Sequence, residues 1–183
     1  MKNIKKIELL QNKEEILPGF SSDFPYISSR AEIDKYDGRF VPWHWHKPIE
    51  LFYIESGVLE YYTPKNRLSF MTKPISSYKD KTIQLLHIFD PELISGCHGS
   101  KVEKTYVMPI IAAPQIEIVA FSPDICKHAD ILNLLCSIFK LSDKDLGYEI
   151  KVREILSQIW LMLFDLLSER LYKRSLYDKN DER

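Results

Sequence analysis

The alternation of apolar and polar positions changes character near residue 122. Between Phe24 and Phe89 the apolar residues come in short runs rich in Tyr, Phe, Ile and Val. Asp37-Gly38, Ser56-Gly57 and Thr63-Pro64 interrupt them, as turns interrupt strands. The spacing predicts strands over 31–36, 49–55, 58–62 and 82–89, with one more over 116–121. In the 82–89 strand Ile83, Leu85, His87 and Phe89 share one face, so His87 is either a pocket residue or a core histidine with a local partner. Residues 94–100 read as loop, and Pro109 and Pro114 exclude a long helix in the segment that follows.

From Ser122-Pro123-Asp124 onward the period is helical, with Ser122 suited to an N-cap and Pro123 to the first helical position. Ile131, Leu132, Leu135, Ile138 and Phe139 form one stripe of a helix expected to end near Leu141. A second helix is expected over 148–173. Its apolar residues sweep an arc of roughly 200°, twice the width needed to pack on one surface. The first helix and the strands are expected to cover one half. Trp160, Phe164, Leu167 and Leu171 then form a dimerisation face for a second copy of the chain, unless the strands and first helix wrap the whole arc.

Length and charge narrow the classes. At 183 residues the chain supports one well-buried core with a helical annex. With 25 basic and 26 acidic residues the net charge is -1, so there is no positive field to collect phosphate backbones, and direct nucleic-acid binding by this chain is not expected. The N-terminus is too polar for a signal peptide and no later run has membrane-spanning length. Cys97, Cys126 and Cys136 are widely spaced and odd in number, as in a reducing compartment, so the expected location is cytoplasmic.

The chemistry concentrates in Gly38, His44, His46, Glu50 and Gly57, spaced G-x5-H-x-H-x3-E-x6-G. On a strand His44 and His46 project to one side, Trp43 and Trp45 to the other, where they are expected to pack against the C-terminal helices. After Lys47-Pro48 a second strand begins, from which Glu50 can return a carboxylate to the same volume, and Gly57 supplies the closing turn. If Glu50 faces inward, Phe52 and Ile54 do too, and on the paired strand either Leu59 and Tyr61 or Glu60 and Tyr62 join them. The candidate ligand-binding set is His44, His46, Glu50, Phe52 and Tyr62. His44, His46 and Glu50 also form a two-histidine, one-carboxylate set suited to a divalent metal with open positions. A polar lining that needs no cofactor is an equally natural use of the same residues.

Together these segments resemble the N-terminal regulatory half of AraC/XylS-type bacterial transcription regulators, which is built on a cupin barrel. The resemblance is carried by Val41-Pro42-Trp43-His44-Trp45-His46, Glu50-Leu51-Phe52-Tyr53-Ile54-Glu55-Ser56-Gly57, Leu86-His87-Ile88-Phe89-Asp90-Pro91, Tyr106-Val107-Met108-Pro109 and Gly147-Tyr148-Glu149. The first motif alone indicates a cupin of any kind; the later segments and the helix pair point to the regulators. The resemblance implies an α+β fold: a jelly-roll-like antiparallel β-barrel over 1–121 that senses a small molecule, then an antiparallel helical hairpin over 122–174 that dimerises. Residues 175–183 are expected to be a linker toward a DNA-binding domain absent from this sequence.

One departure concerns the second cupin motif, G-x5-P-x-G-x2-H-x3-N, which is missing; no glycine lies between Gly57 and Gly96. A shortened or opened barrel is therefore expected, without the usual fourth metal ligand unless His87 supplies it. The resulting expectation is a homodimeric, non-enzymatic sensor whose effector, a sugar by the pairing of hydroxyl-binding groups with aromatic walls, enters the barrel. The competing expectation is a metal-dependent cupin enzyme of the isomerase or dioxygenase type.

Overall fold

The computed structural model describes residues 2–4, 6–63, 69–74, 81–114, 116 and 118–181. The chain divides into two compact units, Met1–Asp90 and Pro91–Arg183. The first is β-rich and the second helical, an α+β organisation with largely antiparallel sheets.

In the first unit, β1 (Lys2–Ile4), β4 (Tyr26–Glu32), β9 (Ile83–Phe89) and β6 (Ile49–Ser56) form a four-stranded sheet in the order β1-β4-β9-β6. Only the β1/β4 pairing is parallel. A second sheet has the order β5-β8-β7, from Val41–Trp45, Ser69–Pro74 and Leu59–Tyr62, and a hairpin pairs β2 (Glu8–Leu9) with β3 (Glu15–Ile16). Among the described residues these strands do not close into a barrel. Residues 64–68 and 75–80, within the glycine-free stretch where the second cupin motif is missing, lie outside the described ones.

Register decides which side chains share a face. Ile27, Ile88 and Glu50 form one cross-strand row, Ser29, Leu86 and Phe52 the next, and Ala31, Gln84 and Ile54 a third. On this face Ala31 joins Ile33, Tyr36 and Val41 in a buried cluster against which Ile7, Leu59 and Leu86 pack. Strand β4 starts and ends earlier than the expected 31–36. Past Glu32 the chain makes two 3-10 turns, Ile33–Lys35 and Asp37–Arg39, with Gly38 at φ 72. Gly57, at φ 78, makes the turn from β6 to β7, and a Cβ there would lie 2.7 Å from Thr82 Cα.

The helical unit contains α1 (Glu92–Ser95), α2 (Met108–Ile111), α3 (Cys126–Ile138) and α4 (Tyr148–Asp181). A π-helical turn at Glu103–Val107 leads into α2. Pro109 sits in the first turn of α2, where its missing N–H costs little, so the prolines shorten the helices here without preventing them. The division at Asp90-Pro91 thus lies ahead of the 121/122 boundary read from the sequence. No strand forms at 116 or 118–121. Helix α3 begins at Cys126, with Ser122 in the turn before it rather than at the N-cap. Helix α4 continues through the expected linker as far as Asp181; residues 182 and 183 lie outside the described ones.

Buried residues Val152, Leu156, Ile159, Trp160, Leu163 and Leu167 recur along α4 at helical spacing. This corrects the expected dimerisation face. Trp160 and Leu167 are 4% and 2% exposed within the single chain. Trp160 Nε1 donates to the Tyr106 carbonyl at 3.0 Å, and the Tyr106 ring meets Phe164 edge-on at 5.3 Å. The helical turn around Tyr106 thus uses a face that the sequence assigned to a second copy. Phe164 and Leu171 are half-buried. No helix among the described residues is long and apolar enough to cross a membrane.

Candidate functional site

Strand β5 places the two histidines. A bulge in its pairing with β8, between Val41 and His44, lets both side chains be buried although they are three positions apart. Alternation then holds: His44 and His46 are 3% and 7% exposed, whereas Trp43 is 41% exposed. The imidazole centroids are 6.1 Å apart.

Each ring is fixed by its own backbone. His44 Nδ1 lies 2.8 Å from the Pro42 carbonyl and His46 Nδ1 lies 2.8 Å from the Pro48 carbonyl. A carbonyl oxygen only accepts, so each Nδ1 carries the hydrogen and donates it. In the neutral ring the lone pair is then on Nε2.

Both Nε2 atoms meet carboxylates. Glu50 Oε2 lies 3.3 Å from His46 Nε2, and Gln84 Nε2 approaches Glu50 Oε1 at 3.5 Å. Glu15 Oε2 lies 3.7 Å from His44 Nε2, with only 9% of the Glu15 side chain exposed. Ligand atoms of Glu15, His44 and His46 all lie within 4.8 Å of one another.

Glu15 reaches this position through the β2–β3 hairpin. Its turn is closed by Leu10 N–H donating to Glu14 O at 2.8 Å, with the Glu14 N–H bonded to Asn12 Oδ1 at 3.0 Å. Trp45 anchors the turn to β5: its backbone N–H donates to Lys13 O at 3.1 Å and its indole Nε1 to Asn12 O at 3.0 Å. Trp45 therefore serves the N-terminal hairpin, where the sequence reading assigned it to the C-terminal helices.

The electrostatics follow from burying these groups together. Burial, partly offset by His46 and reinforced by Glu50, pushes the Glu15 carboxyl up to about 7. Burial also lowers His44, more than the Pro42 carbonyl restores. At His46 the burial penalty is outweighed by the Glu50 hydrogen bond and the charges of both carboxylates, so its value is raised. The Tyr36 and Tyr61 hydroxyls are held well above the ordinary phenol range, by burial and then by Glu15 and Glu50. Two carboxyl groups beside two imidazoles whose Nδ1–H groups are held by backbone carbonyls make an interior suited to a cation or a hydrogen-bonding ligand.

No family model, no curated protein and no solved structure matches this chain. Its chemistry rests on the residues themselves.

Of the residues named from the sequence, His44, His46, Glu50 and Phe52 come together. Phe52 stacks on Tyr61 at 5.3 Å with the rings 17° apart. Tyr62 does not join them: it is 38% exposed and donates to Glu60 at 2.6 Å, on the face opposite Tyr61. Tyr61 takes the place assigned to Tyr62. His87 is not a further ligand either, since it lies in a row with Ser28 and Leu51 on the opposite face of its sheet and shares a 2.8 Å hydrogen bond with the Tyr26 hydroxyl. His98 pairs with Glu103 at 3.0 Å, and His128 Nδ1 accepts from Ser122 N–H at 3.2 Å.

Glu15 and Gln84 are the residues that sequence reasoning missed. The polar run Gln11-Asn12-Lys13 between Leu9-Leu10 and Ile16 was a usable hairpin signal. The contact between that hairpin and β5 had none.

Proposed function

We propose that this chain is the small-molecule-sensing and dimerisation part of an AraC/XylS-type transcription regulator, a cytoplasmic module whose β unit is a shortened cupin. The observation that carries the reading is the buried group His44, His46, Glu50 and Gln84 beside the stacked pair Phe52 and Tyr61. Polar groups that converge among aromatic walls are the ordinary composition of a small-ligand site. Ser29 Oγ adds support: it is buried on the same sheet face, in the row of Phe52, and has no hydrogen-bond partner among the described residues. Sugars suit such a site, because hydroxyls satisfy the polar groups while ring faces stack on Phe52 or Tyr61.

In this reading the DNA-binding step belongs to a separate domain and the helices transmit the state of the site. With Trp160 and Leu167 buried in the monomer, the dimer contact falls to exposed apolar positions such as Ile150 and Leu161 of α4. The test is a thermal-shift screen of the full chain against monosaccharides and sugar acids. A compound that raises Tm in the wild type and not in His44→Ala supports sensing, and light scattering that finds only monomer at high concentration removes the dimer.

A second reading, a metal-dependent cupin enzyme of the isomerase or dioxygenase type, is favoured by the convergence of Glu15 with His44 and His46. Turnover of a sugar phosphate or an enolisable substrate by metal-loaded protein, lost in His46→Ala, would select it.

A further inference from the structure

The resemblance offers His44, His46 and Glu50 as a metal set. The three-way convergence of ligand atoms has a different membership, Glu15, His44 and His46. Glu15 comes from the N-terminal hairpin, outside every segment that carries the resemblance. We infer that Glu15 is the carboxylate ligand of a divalent transition-metal site completed by His44 Nε2 and His46 Nε2, with Glu50 a neighbouring carboxylate outside the ligand set. This assignment does not depend on the sensor reading, since the same site could serve a receptor, an enzyme or a structural metal.

Three observations carry it. The first is tautomer control. A histidine that ligates through Nε2 ordinarily donates its Nδ1–H to a carbonyl or carboxylate, which orients the ring and makes Nε2 more basic. His44 and His46 both do so, to Pro42 and Pro48 at 2.8 Å. Local backbone thus aims two lone pairs at one volume.

The second is spacing. His44 Nε2 and Glu15 Oε2 are 3.7 Å apart, too far for a hydrogen bond and near the separation of two ligands of one ion. Ligands at about 2.1 Å from a tetrahedral ion stand about 3.4 Å from one another. An ion between them would take both atoms as ligands with little movement.

The third is presentation. The hairpin turn is tied to Trp45, one residue from His44 and one from His46, by two hydrogen bonds. Glu15 is thereby held against the histidine strand by contacts that do not involve its own carboxylate.

Two imidazoles with one carboxylate favour first-row ions such as Zn, Ni, Fe or Co over Mg or Ca, which take oxygen donors. The experiment uses the full chain, stripped with chelator and titrated separately with Zn(II), Co(II) and Mg(II) in a competition assay, with elemental analysis for stoichiometry. Wild type is expected to take one Zn(II) or Co(II) per chain and to discriminate against Mg(II). Glu15→Gln should weaken binding by more than about 100-fold, beyond the range typical of a neighbour that only orients a ligand. Glu50→Gln should stay within about 10-fold of wild type, and His98→Ala, at the exposed pair, should have no effect.

Glu15→Asp keeps the charge and guards against a hairpin that fails to fold without it; it should bind more tightly than E15Q and perturb the Co(II) absorption spectrum. Wild-type protein that takes up no ion overturns the site altogether. An ion lost in E50Q and retained in E15Q returns the site to the set implied by the resemblance and overturns the role of Glu15, as does equal binding by E15D, E15Q and wild type.

Discussion

The backbone N–H of Thr82 donates to Asp34 Oδ2 at 2.6 Å, joining the residue just before β9 to the turn that follows β4. The Ile33 N–H donates to Thr82 O at 3.0 Å, so the two chain segments are bonded in both directions. The other Asp34 oxygen accepts from Arg39 at 2.9 Å. The junction fixes where the β4–β9 pairing ends, and with it the register that puts Gln84 and Glu50 on one face.

Asp34 makes this junction sensitive to acid. Burial raises its carboxyl, but the Thr82 N–H and the Arg39 guanidinium outweigh burial and hold it below its ordinary value. A carboxylate with a depressed folded-state value contributes stability above its unfolded value of 3.8, and that contribution disappears as pH falls through the lower folded value. Asp34→Ala should therefore lose about 1.5–3 kcal/mol at neutral pH, the scale of a hydrogen bond to a charged group. In urea melts from pH 7 to pH 2 the gap between wild type and variant should narrow at the acid end. A gap independent of pH would mean that packing, not charge, sets the cost.

Thr82 also makes Gly57 hard to replace. Its φ is 78, and a Cβ would come within 2.6 Å of Thr82 Oγ1 and 2.7 Å of Thr82 Cα. The first contact could be relieved by a rotamer change; the second is to backbone. Gly57→Ala should cost about 1–3 kcal/mol through strain at the β6–β7 turn. Gly96→Ala is the control, since φ is also positive there but nothing among the described residues lies within 4 Å of an added Cβ. The smaller loss is expected at Gly96, measured as the difference in denaturation midpoint.

Strand alternation made much of the candidate site legible. His44, His46 and Glu50 are set by local geometry, and the predicted turn at Gly57 is where the hairpin closes. Tyr61 and Tyr62 could not be told apart because a shift of one residue exchanges the faces of a strand, and register depends on β8. Glu15 was out of reach for another reason: its contact with His44 is long-range, and a lone glutamate in a two-residue strand carries no mark of burial. The helical turn at Glu103–Val107 escaped because prolines were read as stops, although Pro109 lies where a missing N–H is harmless. That omission produced the mistaken assignment of Trp160 and Leu167 to a surface.

The Tyr26–His87 pair is expected to be structural. His87 is 0% exposed and Tyr26 is 5% exposed, with their rings stacked at 5.8 Å and a 2.8 Å bond between hydroxyl and Nδ1. Tyr26→Phe keeps the ring and removes the bond at a buried nitrogen. The expected loss is about 1–3 kcal/mol, with metal uptake and ligand response unchanged. Altered metal affinity in this variant would connect the two faces of the sheet and contradict their separation by register.

Trp160 tests whether the α4 face is core or interface. Its indole Nε1 donates to the Tyr106 carbonyl at 3.0 Å and the residue is 4% exposed, so the single chain already uses it. Trp160→Ala should destabilise the protein by about 3–5 kcal/mol, as for other buried tryptophans. Trp160→Phe, which keeps most of the ring volume, should lose less, with the missing hydrogen bond contributing about 1 kcal/mol. Because the stabilisation lies within one chain, the unfolding midpoint of W160F should shift by the same amount at low and high protein concentration, and its oligomeric state should match wild type. If Trp160 instead belonged to a contact between copies, the shift would depend on concentration and W160F would dissociate on dilution before it unfolded.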